Sequence, residues 1–211
     1  MRLRFSCVIE EVNMAFFSIF KRSALELKSV KCIVTVGVFL AVAVVLDGFG
    51  SIRLGEFLKI NFTFLPLALI GMLFGPVVGC LSGLLVDVIG YLVNPVGAFL
   101  PWLVLISGLE GFIYGLILYN MKPEKTYKQI IRIVLARGLV CGVCNLTLNT
   151  LALYSYGIIT GESFAALFAA RIATNVITFC IGSYLCMAVL VPAKLAYEKM
   201  VDKSRLKKTA A

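Results

Sequence analysis

The sequence has no histidine, one tryptophan and few charged residues. Of its 211 residues, 15% are charged and 61% are hydrophobic, and the mean hydropathy is +1.00. Without histidine the chain lacks the commonest general base and metal ligand, so we expect neither an enzyme nor a metal site. Soluble domains are only about half apolar. The composition therefore predicts an integral membrane protein.

Two sequence patterns are also missing. No segment alternates apolar and polar residues with the period of two that outer-membrane barrels require. There is no GxxxxGK[ST] loop to bind ATP phosphates, so any ATP-driven function has to use another subunit. Cys141 and Cys144 form a CxxC, but no second pair accompanies it. We interpret these cysteines as small apolar residues at a helix interface, and we expect no cofactor.

Six apolar stretches can be assigned as membrane spans, since a spanning helix needs about 20 residues. They cover residues 30–46, 59–74, 76–93, 99–119, 130–154 and 164–195. The second is short, and Pro66 should kink it or leave part of it irregular. The sequence therefore predicts an all-α protein, a six-helix membrane bundle formed by residues 30–196.

Basic residues cluster before the first span, between the fourth and fifth spans, and after the last. By the positive-inside rule these regions are cytoplasmic, which places both termini in the cytoplasm. We assign residues 1–29 to a basic, amphipathic N-terminal segment and residues 197–211 to a basic tail. Residues 12–20 are too short to span and suggest an interfacial helix, and Met14 is an alternative start to Met1.

Four charged residues lie inside the apolar stretches: Asp87, Glu110, Arg137 and Arg171. A charge at bilayer depth costs roughly 2.5–3.5 kcal/mol, so such a residue usually faces a partner, a cavity or a ligand. Helical spacing gives each of them polar neighbours on one face. Those neighbours are Tyr91, Ser107, Tyr114, Cys141, Asn145, Asn149, Asn175 and Thr178.

Two interpretations of these charges stay open. The acids and bases could pair and lock the bundle, or the polar faces could line a ligand pocket. Small residues give a second pattern, because glycines at GxxxG spacing in the third and fourth spans are typical of close internal packing. Gly37 and Ala41 in the first span form a smooth face without interior charge, which suits a partner helix.

Several motifs in order resemble the substrate-binding S component of energy-coupling factor (ECF) vitamin transporters, and the folate-specific branch in particular. The resemblance covers residues 31–190. The motifs are SIRLGEFLKINFTFLP (51–66), DVIGYLVNPVGAFLPW (87–102), ISGLEGFIYGLI (106–117), NLTLNTLAL (145–153) and ARIATN (170–175).

The resemblance implies a six-helix protein that binds a vitamin in an outward-facing pocket. It also implies a bacterial plasma-membrane location and partnership with a transmembrane T subunit and two ATP-hydrolysing A subunits. The family's AxxxA contact with T corresponds here to Gly37 and Ala41. Arg137 lies nearer the predicted cytoplasmic end of its helix, so packing or contact with T is expected for it.

For folate, the resemblance implies three groups of binding residues. The pterin needs hydrogen-bond acceptors, the benzoyl group needs aromatic walls, and the glutamate tail needs cations. The residues assigned to the pterin are Asp87, Glu110, Asn145 and Asn149; those for the aromatic middle are Phe64, Tyr91 and Trp102; those for the tail are Arg53, Lys59 and Arg171, which shares a stripe with Asn175.

Other functions remain as alternatives. The ligand could be another vitamin, such as thiamine, riboflavin, pantothenate or a queuosine precursor. The chain could also be a self-sufficient transporter driven by an ion gradient, with its buried carboxylates as proton carriers. Such a transporter would move its substrate in vesicles without any other subunit.

Overall fold

The computed structural model describes residues 17–49, 52–54, 58–60, 62–95, 99–119, 126–155 and 164–209. Within these ranges the chain is almost entirely helical, as predicted. The helices and strands are α1 (residues 17–26), α2 (Val30–Phe49), β1 (Ile52–Leu54), β2 (Leu58–Ile60), α3 (Phe64–Phe74), α4 (Pro76–Val93), α5 (Pro101–Leu118), α6 (Thr126–Leu139), a π-helical segment (Val140–Leu148), α7 (Asn149–Ser155) and α8 (Phe164–Thr209).

These elements form the predicted six-helix membrane bundle. Among the described residues, five helical segments are long and apolar enough to cross a membrane. Four of them are α2, α4, α5 and α8, and the fifth is a rod formed by α6, the π-helical segment and α7 together. α3 is a shorter apolar helix. The chain is therefore a multi-pass membrane protein.

The short helix α3 lies at the centre of the bundle. Nine of its eleven residues are buried, so protein rather than lipid surrounds it. The prediction that this span starts at Lys59 was wrong, because Lys59 lies in β2, where it pairs with Arg53 across an antiparallel hairpin. Pro66 falls in the first turn of α3, where its missing N–H breaks no helical hydrogen bond. α3 is continuous through Pro66, from Phe64 to Phe74.

Glycines bring α4 and α5 into backbone contact, as the small-residue spacing predicted for the third and fourth spans. Gly71 adds α3, because a Cβ there would lie 2.7 Å from the Gly115 backbone nitrogen. A Cβ added at Gly79 or Gly111 would lie within about 3 Å of the other residue's backbone, and one added at Gly83 would meet the Ser107 carbonyl. Only residues without a side chain permit this approach. These three helices therefore form a tightly packed unit.

The N-terminal helix α1 is fixed to the turn between α3 and α4. The Ser23 hydroxyl donates to the Phe74 carbonyl at 2.7 Å and accepts from the Val77 N–H at 3.1 Å. Gly75 forms this turn with φ of 91°, a conformation that favours glycine. Residues 17–20 of the predicted interfacial helix belong to α1, whereas residues 12–16 lie outside the described residues.

The last helix continues beyond the predicted end of the bundle. α8 runs from Phe164 to Thr209 through Pro192, so the basic segment 197–211 continues the same helix as far as Thr209. The predicted boundary at residue 196 is therefore not a break in secondary structure.

Candidate functional site

A polar cavity of about 470 Å³ lies between the helices. Every spanning segment contributes to its wall, including α2 through Asp47. The lining residues are Asp47, Thr63, Phe64, Leu67, Gly83, Val86, Asp87, Leu103, Ile106, Ser107, Glu110, Arg137, Asn145, Asn149, Arg171, Thr174, Asn175 and Thr178. Acidic, basic and amide side chains thus line one cavity that is large enough for a small-molecule ligand.

The carboxylates of the cavity come from α2, α4 and α5. Asp87 on α4 accepts a hydrogen bond from the Ser107 hydroxyl of α5 at 3.2 Å. Glu110 lies one turn further along α5, and Asp47 comes from the end of α2. This side of the cavity offers acceptors to a ligand that carries N–H groups.

One cation of the site, Arg137, is almost completely buried. Its side chain is 2% exposed, and its Nη1 donates to the Tyr114 hydroxyl at 2.9 Å. The guanidinium carbon lies 3.7 Å from the centroid of the Phe64 ring. Gly182 of α8 lies on another side, so close that a Cβ there would be 2.6 Å from Nε. The Phe64 ring, the Tyr114 hydroxyl and the Gly182 backbone therefore surround the guanidinium.

The second cation, Arg171, lies on α8 and is only half-buried. Its Nη1 donates to the hydroxyl of the buried Thr150 at 3.3 Å. Asn175, one turn later, donates from its side chain to the Arg171 carbonyl at 2.9 Å. The predicted polar stripe of α8 thus faces the cavity through Arg171, Asn175 and Thr178.

The π-helical segment contributes one of the three asparagines that line the cavity. Asn145 lies within it, and Asn149 begins α7 immediately after it. Wide helical turns of this kind are rare and often occur at functional sites. Arg137, Asn145 and Asn149 all line the cavity, so the stripe predicted from four-residue spacing shares one face.

Of the two interpretations of the four charged residues, ion pairing that locks the bundle is not what the described residues show. In the described part of the chain, no ion pair within 4.0 Å joins Asp87 or Glu110 to either arginine. Asp87, Arg137 and Arg171 form hydrogen bonds to hydroxyl groups instead, and all four charged residues line the cavity.

Seven of the predicted binding residues line this cavity together: Phe64, Asp87, Glu110, Asn145, Asn149, Arg171 and Asn175. Tyr91 and Trp102 do not line it. Tyr91 stacks on Phe99 with ring centroids 5.1 Å apart, and Trp102 is 41% exposed. Arg53 and Lys59 face each other in the register of the hairpin, but their side chains lie outside the described part.

Six polar lining residues were not among those assigned to the ligand from the sequence: Asp47, Thr63, Ser107, Arg137, Thr174 and Thr178. Arg137 was expected to serve packing or subunit contact because of its position along the helix. Its four-residue spacing from Cys141 and Asn145 was the signal that placed it on the cavity side. Asp47 and Thr63 lie at helix ends, where periodicity does not specify a face.

The geometry agrees with comparisons to known proteins. Residues 27–197 match the family model described as "ECF-type riboflavin transporter, S component". The folate transporter FolT of Clostridium novyi (strain NT) is 32% identical over 153 residues, which cover 72% of this chain and 84% of that protein. The folate transporter FolT of Streptococcus mutans is 28% identical over 97 residues, or 46% of this chain and 52% of that protein.

A solved structure shares the fold. The crystal structure of FolT bound with folic acid superposes with a TM-score of 0.64 at 34% identity, covering 75% of this chain and 91% of that one. The family model and the Clostridium relative both span most of the sequence. The chain therefore belongs to the S component family of ECF-type transporters.

Proposed function

We propose that this chain is the folate-binding S component of an ECF transporter in the bacterial cell membrane. It binds folate in the central cavity and delivers it inward together with a T subunit and two ATP-hydrolysing A subunits. The observation that carries the proposal is the similarity, at 32% and 34% identity, to two proteins whose names specify folate transport or folic acid.

The charge distribution of the cavity supports a ligand with two unlike ends. Asp87 and Glu110 come from the α4–α5 side, whereas Arg137 and Arg171 come from α6 and α8. Folate has an N–H-rich pterin at one end and two carboxylates at the other. Carboxylates and amides accept hydrogen bonds from pterin N–H groups, and arginine binds carboxylates in a fork geometry.

The positions of residues along the helices support an assignment of which end of folate lies deeper in the cavity. Consecutive spans of a bundle alternate in direction, and the first parts of α5 and α8 line the cavity, so we infer that both helices start at the cavity's end of the bundle. At 1.5 Å per residue, Glu110 lies about 14 Å along α5, and Arg171 only about 10 Å along α8. We assign Glu110, Asp87, Asn145 and Asn149 to the pterin, and Arg171, with Arg53 and Lys59 of the hairpin, to the glutamate tail.

Phe64 is assigned to the aromatic middle of the ligand, because it is the aromatic residue of the cavity wall. Asn175 supports Arg171 from the next turn. Tyr91 and Trp102 remain proposed ligand contacts at the same end of the bundle, near the start of α5.

Riboflavin is the second candidate ligand, and the description of the matching family model favours it. Riboflavin also presents a fused ring with N–H and carbonyl groups, but its ribityl chain is uncharged. The two ligands therefore differ in whether they carry a negative charge that can pair with the cations of the cavity. Riboflavin offers Arg171 no carboxylate, whereas the glutamate tail of folate gives this arginine a charged partner.

The exposed face of α2 is the proposed contact with the T subunit. Gly37 and Ala41 are exposed, and a Cβ at Gly37 would meet nothing within 4 Å. Val34 and Val38 beside them are 60% and 59% exposed. Small residues at this spacing allow a second helix to approach closely. Both termini are proposed to lie in the cytoplasm, which puts the cavity's end outside.

A thermal-shift experiment tests the ligand. The purified protein in detergent is heated with folic acid, riboflavin, thiamine or pantothenate, without ATP. Folic acid should raise the unfolding temperature most, because a ligand stabilises the state that binds it. A shift with riboflavin and none with folic acid would replace the proposal by the second candidate.

Reconstitution tests the energy source. Vesicles that contain this chain with T and A subunits should accumulate folic acid when ATP is supplied, whereas vesicles with this chain alone should not. Accumulation by the chain alone under a proton gradient would instead show a self-sufficient transporter. Replacing Gly37 by leucine should reduce ATP-driven uptake and leave folic acid binding unchanged.

A further inference from the structure

The N-terminal helix α1 has one face against the bundle and one exposed face. On the packed face, Ser23 is fully buried, and the rings of Phe20 and of Phe112 in α5 have centroids 5.8 Å apart. On the other side of the helix, Phe17 and Leu25 are 73% and 53% exposed. The exposed face of α1 therefore carries large apolar side chains that the bundle does not cover.

A capping contact fixes the level of α1 along the bundle. α4 starts at Pro76, which has no N–H, after Gly75, which has no side chain to cap the helix. The Ser23 hydroxyl takes the place of the cap, because it accepts from the Val77 and Val78 N–H groups at 3.1 and 3.4 Å. α1 is therefore held where α4 begins.

This level is the edge of the apolar layer. α2 begins at Val30, four residues after α1 ends, and α2 and α4 are both candidate membrane spans from their first residues. α3 ends at Phe74, on the same turn that Ser23 contacts. Lipid headgroups lie where the spans leave the hydrocarbon. The exposed face of α1 therefore lies at headgroup level.

The segment that carries this face is basic. Residues 17–31 contain four cations, Lys21, Arg22, Lys28 and Lys31, and one acid, Glu26. All four cations are exposed, and neither Lys21 nor Arg22 forms an ion pair with another described residue. Cations beside exposed apolar residues can place their charged ends among headgroups while the apolar residues lie deeper. The face is therefore complementary to an anionic lipid surface.

We propose that the exposed face of α1 binds anionic phospholipid headgroups, with Lys21 and Arg22 as the headgroup-binding residues. Phe17 and Leu25 lie beside the upper parts of the acyl chains. The positive-inside rule accounts for cations at this end of the bundle, but it does not account for exposed apolar residues among them. The proposal is independent of which ligand occupies the cavity.

Hydrogen–deuterium exchange of the full chain in nanodiscs tests the proposal. One set of nanodiscs contains phosphatidylcholine alone, and the other contains equal parts of phosphatidylcholine and phosphatidylglycerol with the same acyl chains. In the wild type, the amides of residues 17–26 should exchange at least about fivefold more slowly in the anionic nanodiscs, since each cation near an anionic surface contributes about that factor. The amides of α5 in the same sample are the internal reference.

Two double variants locate the effect. Lys21→Gln/Arg22→Gln should reduce the difference between the two nanodiscs to within about twofold. Lys128→Gln/Arg132→Gln is the matched control, because it removes two exposed cations from α6 and leaves α1 unchanged. The control should keep the full difference. If it loses the difference as well, the effect is one of net charge and the proposal is overturned.

The remaining outcomes identify other occupants of the face. Equal exchange of α1 in both kinds of nanodisc overturns the proposal. Protection by free glycerol phosphate in phosphatidylcholine nanodiscs would replace the lipid surface by a site for a soluble anion. Protection that appears only with T and A subunits, and equally in both lipids, would make the face a subunit contact. None of these residues lines the cavity, so folic acid should bind both double variants as it binds the wild type.

Discussion

The two sides of the cavity are built differently. Helices α3, α4 and α5 meet backbone to backbone through glycines, and they carry Asp87 and Glu110. On the other side, α6 and α8 meet through side chains such as Arg137, and a π-helical segment interrupts the rod between α6 and α7. Acceptors thus stand on the closely packed side and cations on the other. A ligand that contacts both sides should tie them together and stabilise the protein.

The two sides of the cavity should differ most in how much stability a glycine-to-alanine substitution costs. Gly111→Ala would place a Cβ against the backbone of Gly79, which cannot move aside, so we expect stability to fall by about 1–3 kcal/mol. Gly138→Ala on α6 meets an ordinary contact and should be neutral or stabilising by up to about 1 kcal/mol. Thermal unfolding in detergent measures both. Equal effects would show that the two sides are packed alike.

The second prediction concerns the acidic side. Glu110→Gln keeps the shape of the side chain and removes its charge. We expect folic acid affinity to fall by about tenfold to a hundredfold, since a hydrogen bond to a charged group is worth about 1.5–3 kcal/mol. Calorimetry measures the affinity, and unfolding without ligand is the control. A loss of stability at unchanged affinity would mean that Glu110 has a purely structural role.

The third prediction concerns the cationic side and the glutamate tail. In Arg171→Gln, folic acid affinity should fall about tenfold, because the charged partner of a tail carboxylate is lost. Pteroic acid, which lacks the glutamate, should bind the variant and the wild type within about threefold of each other. An equal loss for both ligands would place Arg171 at the pterin or benzoyl group.

The smallest expected effect lies outside both sides of the cavity. Ser23→Ala removes the hydroxyl that joins α1 to the turn between α3 and α4, which should cost about 1 kcal/mol, as at other helix caps. Folic acid affinity should stay the same, since Ser23 lies at the end of α3 opposite to Phe64. A large loss of affinity in this variant would show that the turn and the cavity are coupled.

Sequence periodicity predicted the helices and much of the site for physical reasons. Apolar length specified the spans, and four-residue spacing placed Asn145 and Asn149 on one face because helical turns repeat at about that interval. Glycine spacing correctly indicated internal packing of α4 and α5. These features depend on residues close together along the chain.

Features that depend on distant residues were not predictable. The expected start of the second span was wrong because residues 58–60 pair with residues 52–54 as antiparallel strands. Arg137 was expected to pack or to contact T, and it is buried, but its partners Tyr114, Phe64 and Gly182 are not encoded in local spacing. Asp47 lines the cavity because of how α2 packs against the other helices, which local spacing does not specify. In each case tertiary contacts, rather than helical periodicity, decided the position.

The most direct test of the account is calorimetric titration of the purified chain with folic acid, without ATP, in the presence and absence of excess riboflavin. The account predicts saturable binding of one folic acid per chain that riboflavin does not displace. Saturable binding of riboflavin with no heat from folic acid would contradict it.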